Sequence, residues 1–441
     1  MILCGHRIKY KQILLIGFIV CISLCILTLY FFLFPTRHFQ PYLDVEDVQL
    51  LLRAAEANGV SVVLFDPLIL HAWSSNEEVV KSGSCLFLCH VVGPLLFSIT
   101  EKDLKNKGHF LSMLAQQGFT VTQFYADDKE SHIFLRRYGP GLVISILYWS
   151  NAGYWRQYQL TGPPHHMAMV KQFITHETWG VLNMDRAYER FETNEAVIDE
   201  FKLTAPSNIE DFDEDYKNAK FIPCNETQAT YFYTKYKEQD NPEVKRFQHL
   251  AWKTLAKSKT VLDKIGIPFW LSSGTLLGFF RQCNIIPWAV DVDLGIFIDD
   301  YSSEVIPSFE AAGMKLVHKF GQLDDSFELS FKESDIKVDL FFFYTEGGIM
   351  WNGGTQVKTG KKFKYVFPRF TLCWTEFLGL KVRIPCQTLD YIEANYGKNW
   401  FIPVKNWDWK SSPPNVQENG EWNENERDKV IVLVNEKSQN D

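Results

Sequence analysis

The stretch IIPWAVDVDLGIFI, Ile285 to Ile298, sets Asp291 and Asp293 one residue apart in a run that is otherwise almost wholly apolar. Side chains alternate between the two faces of an extended strand, so both carboxylates point one way while Val292, Leu294 and Ile296 pack the other. Two like charges side by side on a desolvated strand repel each other and cost free energy unless a cation compensates them. Mg²⁺ or Mn²⁺ is the natural partner, because hard oxygen ligands plus substrate phosphates complete its octahedron.

Just upstream, LSSGTLLG reads as a strand that ends in Ser272-Ser273-Gly274-Thr275 and enters a helix. Backbone N–H groups at such a turn can cradle phosphate, with Gly274 allowing close approach and the Ser273 and Thr275 hydroxyls adding donors. Arg281 lies near the end of the same helix. Downstream, Asp339 interrupts a second hydrophobic strand, IKVDLFFFY, and is expected to face the same cleft as the Asp291 pair. Three roles are open to it: third metal ligand, base for a hydroxyl proton, or structural partner of a nearby Lys or Arg. A small-residue turn, then Asp-x-Asp on a strand, then a lone strand aspartate is the order found in nucleotidyltransferase-fold enzymes. The alternative without chemistry is a surface-facing strand edge.

The chain has 441 residues, 46% of them hydrophobic, which points to two globular units rather than disorder. A formal charge of -8 and no basic stripe argue against nucleic acid as a partner. From Ile13 to Phe34 no residue is charged, enough helix to cross a hydrocarbon core about 30 Å thick. Arg7, Lys9 and Lys11 precede that run, so residues 1–12 are expected in the cytosol, 13–34 as a signal anchor and the remainder in a lumen. A cleaved signal peptide is the rival, but its apolar core is normally shorter. Cys85, Cys89, Cys224, Cys283, Cys373 and Cys386 would then meet an oxidising compartment, with their pairing open. Cys85-x3-Cys89-His90 leaves a structural zinc as the alternative. Asn225-Glu226-Thr227 is a glycosylation sequon, in keeping with a lumenal location.

Residues 35–220 are expected to form a stem and an N-terminal α/β unit, since apolar runs such as GLVISILYW alternate with amphipathic ones such as HFLSMLAQQG. The acidic segment 208–220 reads as a solvated linker, its Asp211, Asp213 and Asp215 matching Asp-x-Asp spacing in a polar setting. His165-His166 reads as a turn after Pro163-Pro164. Residues 221–441 are expected to form a mixed α/β catalytic unit. It opens on a helix capped by Asn241, with Val244, Phe247, Ala251, Leu255, Leu262 and Ile265 on one face. A second helix is expected near 303–312, and a loose charged tail after about 420.

The strings FWLSSGTLLGFFRQCNIIPWAVDVDLGIFI, KVDLFFFY, GGTQVKTGKKFKY, FPRFTLCWTEF, YIEANYGKNW and VKNWDWKSSPPNVQ resemble the fukutin and LicD group of the nucleotidyltransferase superfamily. The close match covers roughly 240–425; in the N-terminal part FDPLIL is the best point. The resemblance implies a single-pass type II membrane enzyme of the Golgi, with other lumenal transferases as companions. Such an enzyme transfers ribitol 5-phosphate from CDP-ribitol to the O-mannosyl glycan of α-dystroglycan; LicD relatives transfer phosphocholine from CDP-choline. It also implies that Asp291 and Asp293 are the metal-binding pair and Asp339 the third carboxylate. Many LicD members carry further aspartates just before the pair, where this chain has Ala289 and Val290.

The basic run Lys358, Lys361, Lys362 and Lys364 is a candidate for the donor diphosphate or an acidic glycan, and equally a solvated face. The aromatic segment NWDWKSSPPN, 406–415, is a candidate stacking surface for cytidine or sugar. Two other classes of function remain: a metal-dependent Asp-x-Asp glycosyltransferase, against which the turn before the pair argues, and a non-catalytic Golgi scaffold, which has no need of three desolvated carboxylates.

Overall fold

The computed structural model describes residues 42–75, 85–237 and 241–434. The expected cytosolic tail and membrane anchor, 1–12 and 13–34, lie outside them. Among the described residues no helix is long and apolar enough to cross a membrane.

Two sheets, each with its own apolar core, organise the chain. The first contains β1 (Val63–Leu64), β2 (Leu95–Thr100), β3 (Thr120–Ala126), β4 (Lys129–Arg136), β5 (Leu142–Ser150), β6 (Tyr154–Gln157), β7 (Arg186–Tyr188), β8 (Thr193–Ile198) and β9 (Phe201–Pro206). Its spatial order is β3-β4-β5-β2-β1-β9-β8, with β6 and β7 continuing from β5. Parallel pairing of β2 with β5 and of β1 with β9 makes it mixed. The hairpin from β3 to β4 turns on Asp127 and Asp128, both at positive φ, a conformation that a two-residue hairpin needs and aspartate tolerates.

Two local expectations in this half are corrected, and the cysteine pairing left open by the sequence is decided. The acidic segment 208–220 is not a solvated linker: it forms a helix, Ile209–Asn218, capped by Asn208. Phe212 and Tyr216, one turn apart, bury in the first core, and the acidic composition hid that apolar face. His165 and His166 lie in the first turns of a helix, Pro164–Lys171, that starts on the proline itself. Cys85 is bonded to Cys89, so the zinc alternative loses its ligands; Cys224–Cys283 and Cys373–Cys386 complete the pairing.

The second sheet contains β10 (Trp270–Leu271), β11 (Asp291–Phe297), β12 (Lys315–Gln322), β13 (Asp325–Glu333), β14 (Ile336–Glu346), β15 (Ile349–Thr355), β16 (Lys361–Pro368), β17 (Leu372–Phe377), β18 (Leu380–Pro385), β19 (Val416–Glu421) and β20 (Ile431–Leu433). Its order is β17-β18-β10-β11-β14-β13-β12-β20, with β15, β16 and β19 running on from β14. The helix Pro242–Lys264 begins as expected, Asn241 Oδ1 accepting the Val244 N–H at 2.9 Å. It buries Val244, Ala251, Leu255, Val261 and Leu262; each fully buried Leu or Val is worth roughly 1.5–3 kcal/mol. The helix expected near 303–312 spans Val305–Ala311. As far as it is described, to residue 434, the tail is not loose after 420: β20 pairs with β12, because the apolar run Ile431–Leu433 extends an otherwise open sheet edge.

Residues 219–222 stitch the two sheets together. The Phe221 N–H donates to Asp185 O at 2.8 Å and the Ile222 N–H to Trp374 O at 2.9 Å, while Trp374 N–H donates back to Lys220 O. Glu376 on β17 accepts from Tyr154 and Ser150 of the first sheet at 2.8 and 2.7 Å, and Lys381 pairs with Glu189 at 2.6 Å.

Candidate active site

β11 and β14 run parallel, and their register sets Asp291 opposite Lys337 and Asp293 opposite Asp339. The alternation expected from sequence holds: Val292, Leu294 and Ile296 join Val338, Leu340 and Phe342 in the core, leaving the charged residues on the other face. Behind them Trp270 lies across β11 at Gly295, where an added Cβ would come within 2.2 Å of the indole, so only glycine fits. Phe297, Phe343 and Phe370 gather around the same indole, which gives the carboxylates an apolar flank.

The turn after β10 grips Asp293 at three points. Ser272 N–H donates to the Asp293 carbonyl at 3.0 Å, Gly274 N–H donates to Asp293 Oδ2 at 2.9 Å, and Thr275 Oγ1 accepts the Asp293 N–H at 2.8 Å. Ser273 opens the helix Ser273–Gln282 at φ +39°, a left-handed conformation that costs a non-glycine residue about 1–3 kcal/mol. That N-terminus therefore faces a carboxylate, and the Tyr391 hydroxyl, 2.8 Å from Ser272 Oγ, buttresses the turn.

Asp291, Asp293 and Asp339 each present an oxygen, and the three oxygens lie within 4.8 Å of one another. Burial, then the Asp339 charge, pushes Asp291 up to about 6, and burial, then the Asp291 and Asp339 charges, pushes Asp293 well above the usual carboxylate range. Asp339 accepts from Ser330 Oγ at 2.6 Å and pairs with Lys337 Nζ at 2.8 Å, while that nitrogen is 3.9 Å from Asp291 Oδ2. Burial alone would lower the Lys337 pKa, but the Asp339 and Asp291 carboxylates raise it above that of an ordinary lysine. One strand further out, His318 Nε2 lies 3.0 Å from Glu328 Oε1, and His318, Glu328 and Asp339 also come within 4.8 Å of one another. Hard carboxylate oxygens in this number and spacing, flanked by a helix N-terminus, fit a small divalent cation.

The other expected residues have partners of their own. Arg281 is buried, hydrogen-bonded to Gln282 and packed 4.8 Å over the Phe232 ring, and desolvation lowers its pKa to about 10. Lys361 pairs with Glu418 at 3.5 Å, Lys362 with Asp325 at 2.5 Å and Lys364 with Glu346 at 2.5 Å, so these ammoniums already have carboxylate partners. Trp407 packs on Tyr396 at 4.9 Å and Trp409 on Phe363 at 5.3 Å. Asn225 is exposed and caps the helix Glu226–Tyr236, its Oδ1 accepting the Gln228 N–H at 2.9 Å. Lys337 and Ser330 were not singled out from sequence. Lys337 carried a signal, standing two residues before Asp339 and hence on its face; Ser330 carried none.

The family description "LicD/FKTN/FKRP, nucleotidyltransferase domain" matches residues 266–387, and "Fukutin N-terminal" matches 142–252. The chain is 40% identical over 395 residues to the ribitol-5-phosphate transferases FKTN of Macaca fascicularis and of Homo sapiens, covering 85% of this chain and of each relative. It is 38% identical over 96 residues to the ribitol 5-phosphate transferase FKRP of Homo sapiens, 20% of this chain. Those 266–387 limits enclose the turn at Gly274, the Asp291 pair and Asp339, and with the extent of the FKTN likeness they establish that the chain belongs to the fukutin family.

Proposed function

We propose that this protein transfers ribitol 5-phosphate from CDP-ribitol to the O-mannosyl glycan of α-dystroglycan, forming a phosphodiester with loss of CMP. The observation that carries it is the pairing of Asp293 with Asp339 across β11 and β14 beneath the Gly274 N–H. The likeness to relatives named ribitol-5-phosphate transferase supplies the donor. Asp291, Asp293 and Asp339 would hold Mg²⁺ or Mn²⁺, which supplies positive charge against the donor diphosphate.

The chain's own residues bind, orient and exclude water. The turn at Ser273, Gly274 and Thr275 acts through Asp293: the Gly274 N–H donates to Asp293 Oδ2 and Thr275 Oγ1 accepts the Asp293 N–H, which would keep that carboxylate oriented toward ion and donor. Trp270 and its aromatic neighbours keep water from the back of the site, where charge interactions are correspondingly stronger. The acceptor hydroxyl attacks the ribitol-side phosphorus in line; its proton passes to a carboxylate oxygen of the cluster, and the CMP phosphate departs. Golgi residence, a type II anchor at 13–34, lumenal exposure of Asn225 and company with other lumenal transferases belong to the same proposal.

Incubating the purified protein with CDP-ribitol, Mg²⁺ and a phosphorylated O-mannosyl acceptor, then weighing the product, tests it. A mass gain of one ribitol phosphate is expected. Transfer from UDP- or GDP-sugars instead would replace it with the glycosyltransferase alternative.

A further inference from the structure

Lys337 is the charge in the cluster for which the proposed reaction has no use. It faces Asp291 across the β11–β14 ladder and shares a face with Asp339, so its stem runs along the floor of the acidic cluster. Both oxygens of Asp339 are engaged: Oδ1 by Ser330 Oγ at 2.6 Å and Oδ2 by Lys337 Nζ at 2.8 Å. A divalent ion held by all three aspartates needs an Asp339 oxygen at about 2.1 Å. The ammonium stands on that approach, and an ion drawn to the same oxygen would lie next to a second positive charge. Lys337 also has room to leave, since its side chain is 36% exposed whereas Asp339 is 5% exposed. Lysine's four-carbon stem is flexible, and its ammonium is a point charge without a fixed bonding plane.

Resting on the reading that the three aspartates bind a divalent cation, we propose that Lys337 is a displaceable counter-ion. Its ammonium neutralises the cluster until ion and donor arrive; then it quits Asp339 Oδ2 and contacts a phosphate oxygen of the donor. Asp339 stays oriented throughout by Ser330. Two consequences follow from one residue. Competition by Lys337 weakens the ion in the absence of donor, and the released ammonium strengthens the donor once the ion is in place, so ion and donor bind cooperatively.

Mn²⁺ titration of the full chain, followed by electron paramagnetic resonance without donor, tests the first half in wild type, Lys337→Met, Lys337→Gln and Lys337→Arg. Met and Gln should bind Mn²⁺ about tenfold more tightly, the scale of removing one partly screened competing charge. Arg should stay near wild type. Wild-type or weaker affinity in both neutral variants, with folding checked by circular dichroism, overturns the proposal, as does no binding by any of the four. CDP-ribitol binding at saturating Mn²⁺ tests the second half: the neutral variants should lose affinity, and unchanged affinity would remove the phosphate contact. Because the Mn²⁺ titration contains no donor or acceptor, failure of ribitol phosphate transfer would sink the functional proposal and leave this one standing.

Discussion

Asp66 in the first half of the molecule and Asp293 in the second are equally buried, each 7% exposed, yet they are satisfied in different ways. Asp66 caps the helix Pro67–Ser74 and takes the N–H groups of Leu68, Ile69 and Leu96 at 3.1, 3.3 and 3.4 Å. Burial raises it to about 6 and those backbone bonds pull it back. Asp293 takes one N–H, from Gly274, and burial, Asp291 and Asp339 all raise it. Burial is therefore no mark of chemistry. A carboxylate ringed by peptide dipoles locks a chain in place; one set beside other carboxylates is poised for a cation.

The widest separation between the two should appear in activity. Asp291→Asn or Asp293→Asn should lower transfer by about a thousandfold or more, with the metal-free melting temperature unchanged or higher, because charge leaves a crowded site. Wild-type turnover in either variant would take these residues out of the site. Asp66→Ala should do the reverse, losing on the order of 3 kcal/mol in urea unfolding as a cap is lost and buried N–H groups are orphaned. Equal stability losses for Asp66→Ala and Asp293→Ala would erase the contrast.

A finer test uses pH. Asp291 and Asp66 both titrate near 6 in the folded protein against 3.8 for the free side chain. The folded state then holds more protons between those values, so metal-free stability should fall as pH rises from about 4 to about 6 and flatten above, by on the order of 2 kcal/mol per group. Saturating Mg²⁺ should cancel the Asp291 share and leave the Asp66 share, which only Asp66→Asn removes. A slope indifferent to Mg²⁺ would put Asp291 in the same class as Asp66. The smallest effect is expected for Lys361→Ala and Lys362→Ala, whose ammoniums are already paired with Glu418 and Asp325. Transfer within about threefold of wild type fits partly exposed ion pairs of that kind; a loss above tenfold would return these lysines to the phosphate site.

The parts of the site legible in the sequence are those with a short-range signature. Alternation of apolar and acidic residues marked the faces of β11 and β14, and the Ser-Ser-Gly-Thr turn announced the helix Ser273–Gln282. Local signals misled where composition outweighed periodicity: Phe212 and Tyr216 make a helix of a segment whose acidic residues read as a linker. That the Arg281 side chain packs on Phe232 of another helix is a contact which spacing along the chain does not reveal.

What the sequence alone determined is the kind of element that carries each acid of the site and the direction that acid faces, since both follow from the period of two residues within one strand. Tertiary structure decided the rest: that Asp293 meets Asp339 rather than a neighbouring strand residue, that Lys337 Nζ fills the gap beside them, and which cysteines pair. Those outcomes depend on cross-strand register and on how two cores close. A one-residue slip of β14 would keep every local preference of its sequence and still turn Asp339 away from the cleft.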